Sequence, residues 1–169
     1  LRIATTSFQI GNGLEQQIEQ YLSDFPKTKL VIIDTFQKVR DSKSTGGKIG
    51  MYAGDYDDVT ALKNISDKYG IAVLVVHHVR KLKDVSDPFN EVSGSTGITG
   101  AADTNFVLKR SRANETGTLL VTGRDIAYQE LTLKFDNRSH LWELVERKDM
   151  EDIHREEIPK FVFRLVDYI

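Results

Sequence analysis

Lys29-Leu30-Val31-Ile32-Ile33-Asp34-Thr35 is the stretch on which the reading of this chain turns. Four consecutive large apolar residues are too few for a helix core and too continuous for a half-exposed strand. They predict a strand buried on both faces, as in a parallel sheet covered by helices. The run stops at a carboxylate. Ligands of open α/β sheets bind in the crevice beyond the carboxyl ends of the strands, which puts Asp34 at that rim. An acid there can hold Mg²⁺, directly or through water, while the metal bridges nucleotide phosphates. It can also cap the following turn through its own side chain, and these seven residues leave both readings open.

Upstream, Asn12 with Glu15 three residues on reads as a helix start of the capping-box type. Leu14, Ile18, Tyr21, Leu22 and Phe25 then share one helical face, and Pro26 marks the exit. Downstream, Val59, Leu62, Ile65 and Tyr69 define a second helix that Gly70 stops. Ile71-Ala72-Val73-Leu74-Val75-Val76 is a second fully apolar strand, ending at His77, His78, Arg80 and Lys81. Helix, strand, helix, strand indicates βαβ units and a parallel sheet.

Residues 41–54 read as a polar, glycine-containing loop, and loops of that length in compact domains are usually functional or disordered. Gly46-Gly47-Lys48 invites a phosphate-loop reading, which fails. The pattern G-x-x-x-x-G-K-[ST] needs glycine at 42 and a hydroxyl residue at 49, where this chain has Ser42 and Ile49. Residues 82–100 form another loop, and a short helix through Ala101-Ala102 leads into a strand at Asn105–Lys109. Gly117–Gly123, Glu130–Phe135 and His140–Val145 then alternate like strands, with Asp136-Asn137-Arg138 as the turn between the last two. The expected domain therefore runs over 1–147. Residues 148–169 would be an acidic, exposed linker and the start of a C-terminal helix at Pro159.

The whole-chain numbers bound the rest. The chain has 169 residues, enough for one domain with a substantial core, and its 40% hydrophobic and 28% charged residues are ordinary for a globular protein. A net charge of -2 argues against a uniformly basic nucleic-acid-coating protein while leaving room for a local basic patch. With no cysteine, disulfides and thiolate metal sites are excluded. No apolar run approaches the ~20 residues of a membrane span and no signal peptide is present, so a cytoplasmic setting is expected. A first residue of Leu1 and a last of Ile169 read as a piece of something longer.

Two apolar strands thus deliver polar side chains to one rim: Asp34 from the first, His77 and His78 from the second. An imidazole beside a γ-phosphate can donate a hydrogen bond to it and report hydrolysis to neighbouring loops. Strand-end histidines satisfied by backbone groups are the plain alternative. A zinc site from Asp34, His77 and His78 is disfavoured, because adjacent strand residues point to opposite faces.

In this order the elements resemble the RecA-like ATPases, in the branch of the RepA-type hexameric replicative helicases of plasmids, phages and mobile elements. The resemblance rests on Leu30-Val31-Ile32-Ile33-Asp34-Thr35 as a Walker B strand and Val75-Val76-His77-His78-Val79-Arg80-Lys81 as a strand-end sensor. Gly94-Ser95-Thr96-Gly97, Gly100-Ala101-Ala102-Asp103 and Thr122-Gly123-Arg124-Asp125 follow in consistent order. It spans roughly residues 1–146 and implies a three-layer α/β/α domain, mostly parallel, with an antiparallel C-terminal extension.

It further implies ATP and Mg²⁺ as cofactors, the metal held by Asp34 through water with Thr35 beside it, and His78 and His77 as γ-phosphate sensors. Arg124 falls where such helicases present an arginine finger to the neighbouring subunit, although an exposed strand-end arginine is the plainer reading. Lys43, Lys48, Arg80, Lys81 and Lys83 lie in loops that in RecA-like motors hold single-stranded DNA. The implied protein is an ATP-dependent DNA helicase or DNA-stimulated ATPase acting as a homo-oligomer, a hexameric ring. The departure is large: neither a Walker A loop nor the glutamate that positions water is present, so this stretch alone is expected to be inactive. Two other readings stand beside it: a non-catalytic RecA-like assembly or DNA-binding module, and a metal-dependent hydrolase using Asp34 and the histidines.

Overall fold

A computed structural model describes residues 1–40, 47–79, 87–92, 96–111 and 114–157. The chain falls into two compact units, Leu1–Ala102 and Asp103–Ile169. Helices and strands mix as expected: a parallel pair of strands in the first unit and a four-stranded antiparallel sheet in the second make a partial α/β domain.

The first unit opens with helix α1 (Leu14–Asp24), whose Leu14, Ile18 and Leu22 are buried. Its N-cap is Gly13, one residue later than the capping-box reading of Asn12 predicts. Gly13 has φ of 110°, which L side chains rarely adopt, and an added Cβ would lie 3.2 Å from the Phe8 ring. Glu15 still serves the helix start, because its Oε1 accepts the Gly11 N–H at 2.8 Å.

Strand β1 (Leu30–Asp34) feeds the short helix α2 (Phe36–Val39). Helix α3 (Gly47–Tyr69) then crosses back to strand β2 (Ala72–Val76), parallel to β1 in a register that sets Ile33 against Val75 and Asp34 against Val76. Gly70, at φ of 59°, ends α3 as predicted, and Ser66 Oγ donates to the Ile71 carbonyl at 2.7 Å across the turn. A 3₁₀ turn (Pro88–Glu91) and helix α4 (Thr96–Ala101) complete the unit.

Three expectations need correction here. Helix α4 begins at Thr96, inside the stretch 82–100 read as loop. Of the expected loop 41–54, residues 47–54 are not loop but the first turns of α3, and 41–46 lie outside the described residues. Gly47, Gly50 and Gly54 disfavour helix individually, yet the turns that follow bury Val59, Leu62 and Ile65, and packing of that face outweighs local propensity. Nor is β1 buried on both faces. Ile33 is buried and Val31, Val73 and Val75 pack against the helical core, whereas Leu30 and Ile32 are 49% and 54% exposed and Leu74 and Val76 are exposed beside them. The apolar run fixes a strand, but the described helices cover only one of its faces.

In the second unit, strands β3 (Thr104–Arg110), β4 (Thr116–Gly123), β5 (Gln129–Asp136) and β6 (Leu141–Lys148) form an antiparallel meander in sequence order. Each lies within a few residues of its predicted bounds. The turn between β5 and β6 forms as read: Asp136 Oδ1 accepts the Arg138 N–H at 2.8 Å and Oδ2 accepts Ser139 Oγ at 2.7 Å. The backbone N–H of Arg138 and then the Ser139 hydroxyl hold the Asp136 carboxyl below its ordinary range. The expected acidic linker is helical over its first part, α5 (Met150–Glu157). Asp149 Oδ1 accepts the N–H groups of Glu151 and Asp152 at 2.9 and 3.0 Å, an acidic N-cap that the charge of the stretch obscures. The expected helix from Pro159 lies outside the described residues.

Candidate functional site

Because β1 and β2 run parallel in register, their carboxyl ends emerge side by side. Asp34 is the last residue of β1 and is exposed. Its carboxylate makes no hydrogen bond or ion pair with a described residue, and the N-cap position of α2 is held by Thr35, not Asp34, with no side-chain cap bond. The peptide between Asp34 and Thr35 is cis, and the Thr35 carbonyl accepts the Lys38 N–H at 2.9 Å. The carboxylate is therefore open to solvent at the rim, an oxygen donor of the hard type that Mg²⁺ takes one or two of while keeping waters and phosphates as its other ligands.

His77 and His78 follow Val76, the register partner of Asp34. The two-residue alternation of the strand carries past its end: His77 is half-buried on the core side and His78 is exposed, like Asp34 and Val76. The His77 ring meets Phe36 edge to face, centroids 5.6 Å apart at 87°. Among the described residues no group of three or more His, Asp or Glu side chains is placed to hold a metal, so Asp34, His77 and His78 do not form a zinc set.

Sequence reasoning missed the support beneath this rim. Phe36, two residues after Asp34, is fully buried. The guanidinium of Arg40 lies 5.3 Å from its ring centroid. The same guanidinium ion-pairs with Asp55 through one terminal nitrogen and with Asp58 through Nε, the latter at 3.0 Å. The Asp55 side chain is 0% exposed, and burial pushes the Asp58 carboxyl above its ordinary range against the opposing pull of Arg40. A sequence signal existed. Asp55 and Asp58 are spaced i, i+3 among the apolar positions of α3, where unpaired carboxylates are not tolerated. Their partner, 15 and 18 residues upstream, was not legible.

In the second unit Arg124 follows β4. Its N–H donates to the Asp103 carbonyl at 2.9 Å, and its guanidinium is 3.4 Å from Asp103 Oδ1, both side chains more than half exposed. Gly123 permits this approach: a Cβ there would lie 2.6 Å from the Asp103 carbonyl oxygen. Of the residues expected at nucleic acid, Lys43, Arg80, Lys81 and Lys83 lie outside the described residues, and Lys48 is placed only as a backbone position in the first turn of α3.

Residues 6–84 match the family model of an AAA domain. The match takes in Asp34, Thr35, His77 and His78 and stops before Arg124. It supports a P-loop ATPase family for this stretch, and with it nucleotide binding of the ATPase type.

Proposed function

We propose that this chain carries the metal-binding and sensor half of an ATP-dependent DNA helicase or DNA-stimulated ATPase, serving replication of a plasmid, phage or mobile element and working as a homo-oligomeric ring. One observation carries the reading. Within the segment that matches an AAA domain, an unencumbered carboxylate and a pair of imidazoles leave adjacent parallel strands at the same end. In this reading Asp34, with Thr35 beside it, would hold an ATP-bound Mg²⁺ through water, and the ion would supply charge compensation for the phosphates. His78, exposed on the same side as Asp34, donates a hydrogen bond to the γ-phosphate. His77, anchored on Phe36, fixes where that strand end sits. Arg124 presents its guanidinium to a neighbouring subunit's nucleotide, and Asp103 holds it at the end of β4 until then.

The phosphate-cradling loop this chemistry requires is not encoded in these residues. The test therefore uses a longer protein, extended upstream of Leu1 by about one hundred residues, enough to complete a domain of typical size. ATP hydrolysis is measured with and without single-stranded DNA, beside an Asp34→Asn variant. DNA-stimulated turnover that collapses in the variant supports the motor. An extended protein that neither binds nor hydrolyses ATP overturns it and leaves assembly or DNA binding without turnover.

A further inference from the structure

We propose that Arg40 is a positioning residue for the nucleotide rim: it locks Phe36, and through it His77 and the end of β1, onto helix α3. The inference rests on the functional reading above, and Arg40, Asp55 and Asp58 have no role in that reading. Three contacts converge on one side chain. Arg40 Nε reaches Asp58 at 3.0 Å, a terminal nitrogen reaches the fully buried Asp55, and the flat guanidinium lies 5.3 Å from the centroid of the Phe36 ring. Phe36 has no exposed surface, and its ring and that of His77 meet edge to face at 5.6 Å.

The path is short and stiff. Asp34 is separated from Phe36 by one residue, so the ring that Arg40 holds is tied covalently to the metal-binding carboxylate and by packing to the first imidazole. Close-packed interiors transmit displacement instead of absorbing it, so the rim inherits its geometry from α3. Plain structural ion pairing explains the cost of losing Arg40 but not the choice of arginine. A lysine neutralises a carboxylate equally well, but as a point charge it cannot bridge two acids through separate nitrogens while its cation stays over a ring. Asp55 and Asp58 stand one turn apart on α3, at the spacing a fork can span.

Arg40→Lys is the test. In the 169-residue chain the ring resonances of His77 should move, while those of His140 and His154 in the other unit stay in place. In the extended protein kcat for ATP should fall about tenfold with KM within about twofold, because misplacement of catalytic groups acts on the transition state more than on ground-state binding. Unmoved His77 resonances, or an unchanged kcat, overturn the proposal. If Arg40→Lys does not fold, Asp58→Asn removes one arm of the clamp while leaving Phe36 and His77 in place; the same His77 shift and kcat loss are expected of it, and their absence overturns the proposal. If the wild-type extended protein hydrolyses no ATP, the motor reading falls, and the His77 shift alone decides the positioning role.

Discussion

Gly123→Ala tests the end of the β3–β4 ladder, where Arg124 is held. An added Cβ would lie 2.6 Å from the Asp103 carbonyl oxygen, 2.9 Å from Thr104 Oγ1 and 3.2 Å from Thr104 Cα. The hydroxyl can rotate away, but the other two atoms are backbone. Relieving them forces Asp103 outward and loosens the 2.9 Å bond from the Arg124 N–H to its carbonyl. Overpacking of this kind costs about 1–3 kcal/mol, and the lost hydrogen bond about 1 kcal/mol. Reduced freedom of the unfolded chain returns about 0.4–1 kcal/mol. The net expectation is a loss of about 2 kcal/mol, or a fall of about 10 °C in the unfolding midpoint of a unit this small. Trp142 is the chain's only tryptophan and sits on β6 of the same meander, so its fluorescence reports this unit. Gly100→Ala, in the first unit, is a control read by circular dichroism, which sees both units. Nothing lies within 4 Å of its added Cβ, and it should be neutral or mildly stabilising. If Gly123→Ala behaves like Gly100→Ala, the close approach of Asp103 to β4 is not as described, and the tether on Arg124 goes with it.

Asp34→Asn should leave the unfolding free energy of the chain, measured in urea, within about 0.5 kcal/mol of wild type, since an exposed carboxylate without described partners contributes little to folding. A large loss would show that it is structural. Arg40→Met strands a buried carboxylate and should cost about 3–5 kcal/mol by circular dichroism, most of it recovered in Arg40→Met/Asp55→Leu; simple additivity of the two single changes would refute the pairing. Asp58 has a raised pKa when folded, so the folded state holds its proton to higher pH than the unfolded state does. Its contribution is present below the unfolded value of 3.8 and is lost as pH rises through the folded one. Asp58→Asn should therefore flatten the stability profile in that acid range, and a profile that keeps its slope would assign the titration elsewhere.

Much of this could be read from the residues alone, for identifiable reasons. Strand β1 was legible because a tight apolar run ending in Asp34 has few other uses. The meander was legible because turn chemistry such as Asp136-Asn137-Arg138 is local. The start of α3 was not: three glycines between 47 and 54 speak for loop, and only long-range packing of Val59, Leu62 and Ile65 reverses them. The exposure of Leu30 and Ile32 was also hidden, since a sequence run records that side chains are apolar and not which of them find cover. At the rim, Asp34, His77 and His78 were named from strand ends. Arg40 and Asp55 were missed because their pairing spans 15 residues and follows no local period.

The in-register pairing of β1 and β2 also bears on how this protein tolerates change over generations. Side chains alternate with a period of two, so deleting or inserting one residue within Leu30–Asp34 would turn the inward Ile33 out and carry Asp34 to the wrong side. Substitutions at Val31 or Val73 that preserve bulk can accumulate, whereas single-residue length changes in either strand would remove chemistry and core together. Lineages carrying this fold should therefore vary freely in the identity of these aliphatic residues and hardly at all in their number.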